Sequence, residues 1–319
     1  MHIPDGFLDA KTALTTGVLS LSGLGAALRQ ASRHLQPRRI PLIGLTAAFV
    51  FVAQMINFPV AGGTSGHLLG AALAVVLVGP GAAVIVMTCV LVIQAFIFAD
   101  GGLLALGANV LNMAIVAPVC AYGVYRLLRR STGSLRSQLV AASVAAWFST
   151  VIAAVVCAGE LALSGIVPWN LALPAMAGIH SLIGIGEGLI TMFVLAAIGN
   201  ARPELIDGSN GLNPKPESKA FVVYGSICII AILVLVVPFA SKLPDGLEKV
   251  AEMFGFQYRA NGQHLLAAPL KDYAVPGVVS PALASLAAGI AGMFLVSVLS
   301  LVLVRLLVPD QKTATPSPE

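Results

Sequence analysis

The chain has 319 residues, 58% of them hydrophobic and 10% charged, with a mean hydropathy of +0.93. No soluble core needs that much apolar surface, so the composition excludes a soluble globular protein and predicts an all-α integral membrane protein. The net charge of +4 is no sign of nucleic-acid binding, because the positive residues sort by topology.

A polar leader, Met1 to Lys11, precedes the first apolar run. It lacks the basic start of a secretory signal and carries Asp5 and Asp9 instead. Ile3-Pro4-Asp5-Gly6 is a turn signature, with proline presetting φ at the second position. Phe7 and Leu8 beyond it call for burial. The leader is therefore expected to fold back into the mouth of a helix bundle, where an ordinary chain end would fray. That would carry Met1-His2 inward. A free terminal amine, the next backbone nitrogen and the His2 imidazole can close fused chelate rings around one metal ion. Such a nitrogen-rich tetragonal set suits Ni(II) and Cu(II), and selectivity must then rest on cavity shape and metal availability.

Nine apolar stretches follow as candidate spans, at about 12–28, 40–58, 66–78, 82–98, 103–127, 138–164, 171–199, 221–241 and 281–307. Small residues in the first, Ala13 with Gly17 and Ser22 with Ala26, allow close packing against a partner subunit or within the bundle. The third stretch is short, and Gly79-Pro80-Gly81 marks either a tight turn or the base of a re-entrant hairpin. With the amino terminus outside, thirteen of the 18 Lys and Arg residues fall on the inner side, including Arg29, Arg33, Arg38, Arg39, Arg130, Lys215 and Lys312. That bias predicts a multi-pass protein of the cell membrane, amino terminus outside and carboxyl tail cytoplasmic.

Between the second and third stretches runs Gly62-Gly-Thr-Ser-Gly-His67. Its glycines permit close backbone approach, and Ser65 is placed to cap a helix beginning near His67. Topology puts His67 on the side where Met1-His2 would dock. It either supplies a fourth nitrogen or bonds its own loop. His34 reads as a solvated topology charge and His264 as an outer-loop residue. His180 and Glu187, seven residues apart on one helical face, are intramembrane ionisable groups and hence functional candidates. The reading preferred here is an interhelical hydrogen-bonding pair, with Glu187 the only acid placed deep. Cys89, Cys120, Cys157 and Cys228 sit in apolar stretches without C-x-x-C spacing and read as packing residues.

After a polar linker, two spans frame an outer loop, Ser241 to Val279. Asp245 and Glu248 have capping-box spacing, and Leu247, Val250, Ala251 and Phe254 line one face of a short amphipathic helix. No G-x-x-x-x-G-K-[ST] loop occurs, so ATP hydrolysis would fall to other subunits. A secondary transporter would want coupling carboxylates near the midplane. A membrane metalloenzyme would want an open metal position and a general base, and no H-E-x-x-H is present.

The opening Met-His-Ile-Pro-Asp-Gly-Phe-Leu, the stretch Gly62-Gly-Thr-Ser-Gly-His-Leu-Leu-Gly70, and His180-Ser-Leu-Ile-Gly-Ile-Gly-Glu-Gly-Leu-Ile-Thr191 together resemble the CbiM/NikM family. These are nickel/cobalt substrate-binding membrane subunits of energy-coupling-factor transporters. The resemblance covers roughly residues 1–200. Pro244-Asp-Gly-Leu-Glu248 and Asp272-Tyr-Ala-Val-Pro-Gly277 resemble the CbiN/NikN-type PDGLE accessory subunit. It implies a metal-binding region 1–201 of about seven helices, a cytoplasmic linker 202–220 and an accessory two-helix region 221–319. It implies metal ligation by the Met1 amine, the backbone nitrogen and imidazole of His2, and the His67 imidazole. It implies Ni(II) or Co(II) as cargo, nickel favoured by the form of the motifs, with no organic cofactor. The partners implied are a CbiQ/NikQ-like coupling subunit and CbiO/NikO-like cytoplasmic ATPases.

Overall fold

A computed structural model of the chain describes residues 1–129, 134–206, 219–260 and 266–307. His264, Arg130, Lys215, Lys312 and linker residues 207–218 lie outside the described residues.

Helix α1 (Ala10–His34) begins where the Asp9 side chain accepts the Thr12 amide, and it ends with Arg33 and His34 at the negative end of its dipole. Helix α2 (Ile40–Met55) returns and leads into a hairpin. Strands β1 (Asn57–Val60) and β2 (Thr64–His67) pair antiparallel, with Asn57 opposite His67. Helix α3 (Ala71–Val78) and α4 (Pro80–Ile93) meet at Gly79, proline occupying the first turn where its missing N–H costs nothing. A π-helical turn, Gln94–Phe98, finishes α4. Helix α5 (Leu106–Asn109) runs through a π-helical stretch, Val110–Val116, into α6 (Ala117–Leu128). Long helices α7 (Leu135–Leu163) and α8 (Trp169–Ala201) form the most extensive pair in the bundle. Beyond the linker come α9 (Lys219–Val236), the short α10 (Gly246–Phe254) in the loop, and α11 (Pro281–Leu307), which packs along α2.

Among the described residues the helices run back and forth between two ends. The leader, the hairpin, the segment after α4 and the α10 loop gather at one end, called the mouth. The Gly79-Pro80 turn lies beside Leu35 and Arg39 at the other. Among the described residues six helices, namely Pro80–Phe98, Leu106–Leu128, Leu135–Leu163, Trp169–Ala201, Lys219–Phe239 and Pro281–Leu307, are long and apolar enough to cross a bilayer. Helix α2 is shorter, and α1 is more polar along its Thr and Ser positions. The chain is thus a multi-pass membrane protein, and among the described residues its only sheet is one small hairpin.

The third stretch is not one continuous helix. Only eight residues are helical, a rise of about 12 Å. Before it come β2 and an irregular segment, Leu68–Gly70. Ser65 does not cap a helix, because its hydroxyl donates to the Leu243 carbonyl at 2.7 Å. Helix α3 instead starts after Gly70, whose φ of +79° only glycine adopts cheaply.

In the first span, Gly17 serves the internal bundle. A Cβ on Gly107 would lie 2.5 Å from the Gly17 Cα, and the Ser20 hydroxyl donates to the Gly107 carbonyl at 2.5 Å. The capping box of α10 is formed from both sides by Asp245 and Glu248, and Leu247, Val250 and Ala251 are buried. Its amphipathic face lies on the bundle as its spacing predicts. Gly107→Val should wedge α1 from α5 and cost about 1–3 kcal/mol by overpacking, read as a lower melting temperature in detergent. An unchanged melting curve would contradict the close seam.

Candidate metal centre

The leader is docked, not frayed. Ile3 is fully buried, and Met1, Asp5 and Phe7 are nearly so. Burying one such large apolar side chain is worth roughly 1.5–3 kcal/mol, but polar contacts fix the path. The Ile3 amide donates to Asn109 Oδ1 at 2.8 Å, and the Ile3 carbonyl accepts from Asn109 Nδ2 at 3.0 Å and Gly102 N at 2.8 Å. The Asp5 carboxylate accepts the amides of Leu103 and Leu104. A Cβ on Gly102 would sit 2.2 Å from Asp5 Oδ1, so only glycine admits the leader there. Phe7 meets Phe256 edge to face at 5.0 Å.

This docking brings the three residues singled out in the sequence together. The Met1 ammonium lies 2.9 Å from His67 Nε2, and the His2 ring stacks on the His67 ring at 5.1 Å between centroids. His67 Nδ1 faces the Leu68 carbonyl at 3.2 Å. A carbonyl only accepts, so Nδ1 carries the proton and Nε2 presents its lone pair to the amine. Burial lowers the proton affinity of both rings. His67 falls well below the ordinary histidine value, with the terminal ammonium adding to the effect, while Asp100 partly opposes the shift at His2.

Four further residues complete the centre, and sequence reasoning assigned none of them to it. Asp245 Oδ2 takes the Met1 ammonium at 2.6 Å. Burial alone would raise that carboxyl, yet the ammonium and the Glu248 amide hold it below the usual carboxylate range. His2 Nε2 meets Gln94 Oε1 at 3.1 Å, and His2 Nδ1 meets Asp100 Oδ1 at 3.2 Å. Tyr273 Oη donates to Asp100 Oδ2 at 2.6 Å. Asp245 was legible as a helix cap. Its second oxygen's partner, 244 residues away in the chain, left no local trace. A cavity of about 700 Å³ opens over these groups, lined also by Glu248, Glu252 and Asp272.

His180 and Glu187 do not bond to each other. Glu187 Oε2 and Oε1 accept the Leu69 and Gly70 amides at 2.5 and 2.9 Å, and Gln54 Nε2 donates to the Leu69 carbonyl at 2.8 Å. The buried acid thus ties α8 to the extended limb that carries His67, supplying the partners that a broken helix lacks. His180 Nδ1 faces the Met176 carbonyl at 2.9 Å. Its Nε2 edge fills the space left by Gly246, where a Cβ would lie 2.8 Å away. Nor is Glu187 the only deep acid. Glu160 on α7 is 4% exposed and accepts from Asn112 Nδ2; it lies near the span's end, where the sequence alone gave no depth. The four cysteines are free thiols, Cys228 exposed and Cys120 half-buried. Glu187→Gln presents one amide N–H to another, and should cost about 1–3 kcal/mol in thermal stability while loosening the His67 limb. Unaltered protection of the Leu69 and Gly70 amides from hydrogen exchange would count against that role.

Comparison with known proteins agrees with this architecture. Residues 2–205 match the family model CbiM, described as a cobalt uptake substrate-specific transmembrane region, and residues 219–309 match the PDGLE domain. A NikMN-type fused chain of Archaeoglobus fulgidus, named provisionally as a nickel transport protein, is 38% identical over 96% of this chain and 98% of its own. The fused nickel transport protein NikMN of Rhodobacter capsulatus is 36% identical over 65% of this chain and 64% of its own. A crystal structure of a transition metal transporter superposes with a TM-score of 0.59 at 33% identity, covering 67% of this chain and all of the other.

Proposed function

Because the chain belongs to the CbiM family of cobalt-uptake substrate-specific transmembrane proteins, with a PDGLE domain behind it, we propose that it captures nickel or cobalt ions for an ATP-driven energy-coupling-factor importer. The observation that carries this reading is the terminal amine 2.9 Å from His67 Nε2, with the His2 ring stacked against the same imidazole. The Met1 amine, the His2 backbone nitrogen, His2 Nδ1 and His67 Nε2 form the ligand set. Oxygen-seeking Mg and Ca are poorly matched by it, whereas small late transition metals suit it. Nickel is the preferred cargo on the form of the motifs and the names of the fused relatives. Cobalt is the second reading, on the family's own description.

The mouth faces outside and the arginine-rich end faces the cytoplasm. Residues 1–201 hold the metal, 202–220 connect, and 221–319 form the accessory region. A CbiQ/NikQ-like coupling subunit and CbiO/NikO-like ATPases supply the energy, since the chain has no phosphate-binding loop. In the metal-free state Asp245 neutralises the ammonium. On capture the amine and the amide each release a proton, and the metal's positive charge replaces the ammonium's beside the same carboxylate.

One residue added before Met1, or His2→Ala, should abolish nickel binding measured by isothermal titration calorimetry while the thermal melt is retained. His67→Ala should weaken binding by more than tenfold, the residual coming from the amine-amide-His2 chelate. Full-affinity binding to the extended chain would sink the proposal. Both rings have lowered pKa values, so they stay neutral and available at neutral pH. Protonation of the rings sets in only below the ordinary histidine value of about 6.5. Affinity should therefore fall progressively as the medium is acidified through and below that value. Equal affinity at about pH 7.5 and about pH 5 would exclude capture by an amine and an amide that must each give up a proton.

A further inference from the structure

We propose that the slot between α8 and α9, at the end away from the mouth, binds one anionic phospholipid. Its acyl chain lies in the slot and its phosphate rests on Arg202 and Lys219. The inference depends on neither the metal nor its ligands.

Helix α9 is the most apolar of the six candidate spans and the least covered, with 11% of it buried inside the fold. It meets two neighbours closely. A Cβ on Gly225 would lie 2.8 Å from Leu45 of α2, and a Cβ on Gly289 of α11 would lie 2.8 Å from Leu233. Between α9 and α8 a cavity of about 440 Å³ intervenes instead. Leu45 and Leu77 floor it, Val194 and Ile198 of α8 form one wall, and Tyr224 and Ile232 of α9 form the other. The buried Thr46 hydroxyl on the floor already donates to the Leu42 carbonyl at 2.8 Å. Such walls are a poor place for water, which wants roughly 2–4 polar partners, and a good one for hydrocarbon. Length names the occupant. From Phe221 to Ile232 the α9 wall rises about 16 Å, close to the ~15 Å of one leaflet in a hydrocarbon core of ~30 Å. The slot is one leaflet deep.

The open end of the slot carries positive charge. Arg202 lines it, with its guanidinium 4.8 Å over the Phe221 ring. Lys219, exposed, begins α9 two residues before that ring. Glu204 accepts from Arg202 Nε, which uses one of the five donors of a guanidinium. The remaining fork matches a phosphate, and two cations against one carboxylate leave the rim net positive. Basic pockets between spanning helices recognise anionic head groups in this way, and juxtamembrane cations favour anionic over zwitterionic lipid. An apolar slot one leaflet deep below a phosphate-binding rim is complementary to a single phospholipid. Seated there, the lipid joins α9 to α8 through hydrocarbon where their side chains leave a gap.

The test uses the full-length protein in detergent with Cys120→Ser. Of the remaining thiols Cys89 and Cys157 are buried, and Cys228 is exposed on the α9 wall of the slot. Alkylation of Cys228 by a maleimide is timed with dioleoyl phosphatidylglycerol, dioleoyl phosphatidylcholine, oleate or inorganic phosphate. Phosphatidylglycerol should slow the reaction about tenfold at a concentration about ten times its Kd. Phosphatidylcholine should act only at higher concentration, and phosphate alone should do nothing. Arg202→Gln with Lys219→Gln should erase the preference between the two phospholipids, and Glu204→Gln, which frees the guanidinium, should sharpen it. If the charge variants fail to fold, native mass spectrometry of the wild type decides instead. It should show one phosphatidylglycerol retained per chain in an equimolar mixture with phosphatidylcholine. Equal protection by the two phospholipids, or protection by phosphate alone, would overturn the inference. So would oleate matching phosphatidylglycerol, which would make the occupant a fatty acid. A Cys228 unreactive from the outset and indifferent to lipid would overturn it too, because the chain itself would then cover the slot.

Discussion

The arrangement depends on holding a chain terminus still inside a membrane bundle. The Met1 ammonium is a full charge at a buried position, and burying a charge is costly unless it is paired and hydrogen-bonded. Asp245 and the His67 lone pair meet that requirement together at 2.6 and 2.9 Å. Ile3 and Asp5 provide the mechanical anchoring, through Asn109 and the amides after Gly102. Charge and backbone bonding thus divide the work. The backbone contacts set where the leader lies, and the ion pair sets where its tip points.

Much of this was legible in the amino-acid sequence, for definable reasons. A turn followed by Phe7 and Leu8 demands burial, and no open water-facing fold offers it, so docking of the leader follows from local chemistry. The capping box of α10 is likewise a short-range code, and Asp245 and Glu248 form it as their spacing implies. The multi-pass helical character follows from the length of the apolar stretches. Met1, His2 and His67 meet because parity puts them at one end.

What was not legible is long-range pairing of polar groups. The sequence offers no sign that Glu187 holds the Leu69 and Gly70 amides, because the acceptor's need arises only once the helix breaks at Gly70. Taking 66–78 as one helix hid that break, and with it the role of Gln54. The Ser65 cap failed for the same reason: its hydroxyl found the Leu243 carbonyl, a partner 178 residues distant. Asp100, Gln94 and Tyr273 read singly as ordinary polar residues. Their significance lies in contacts around His2 that only the folded chain creates.

The hairpin invites a last consideration. Two strands alone leave backbone groups unmatched on their outer rims, and such rims are sites of unwanted pairing. Here Ser241 N–H donates to the Asn57 carbonyl, and Ser65 N–H donates to the Pro244 carbonyl, both at 2.8 Å. The downstream half of the polypeptide therefore acts as a seam binding for the upstream half. Severing the two would leave the β2 rim, and with it the strand ending in His67, without its backbone partner. Covalent fusion thus keeps that rim covered by the same chain, a physical advantage independent of any effect on cargo.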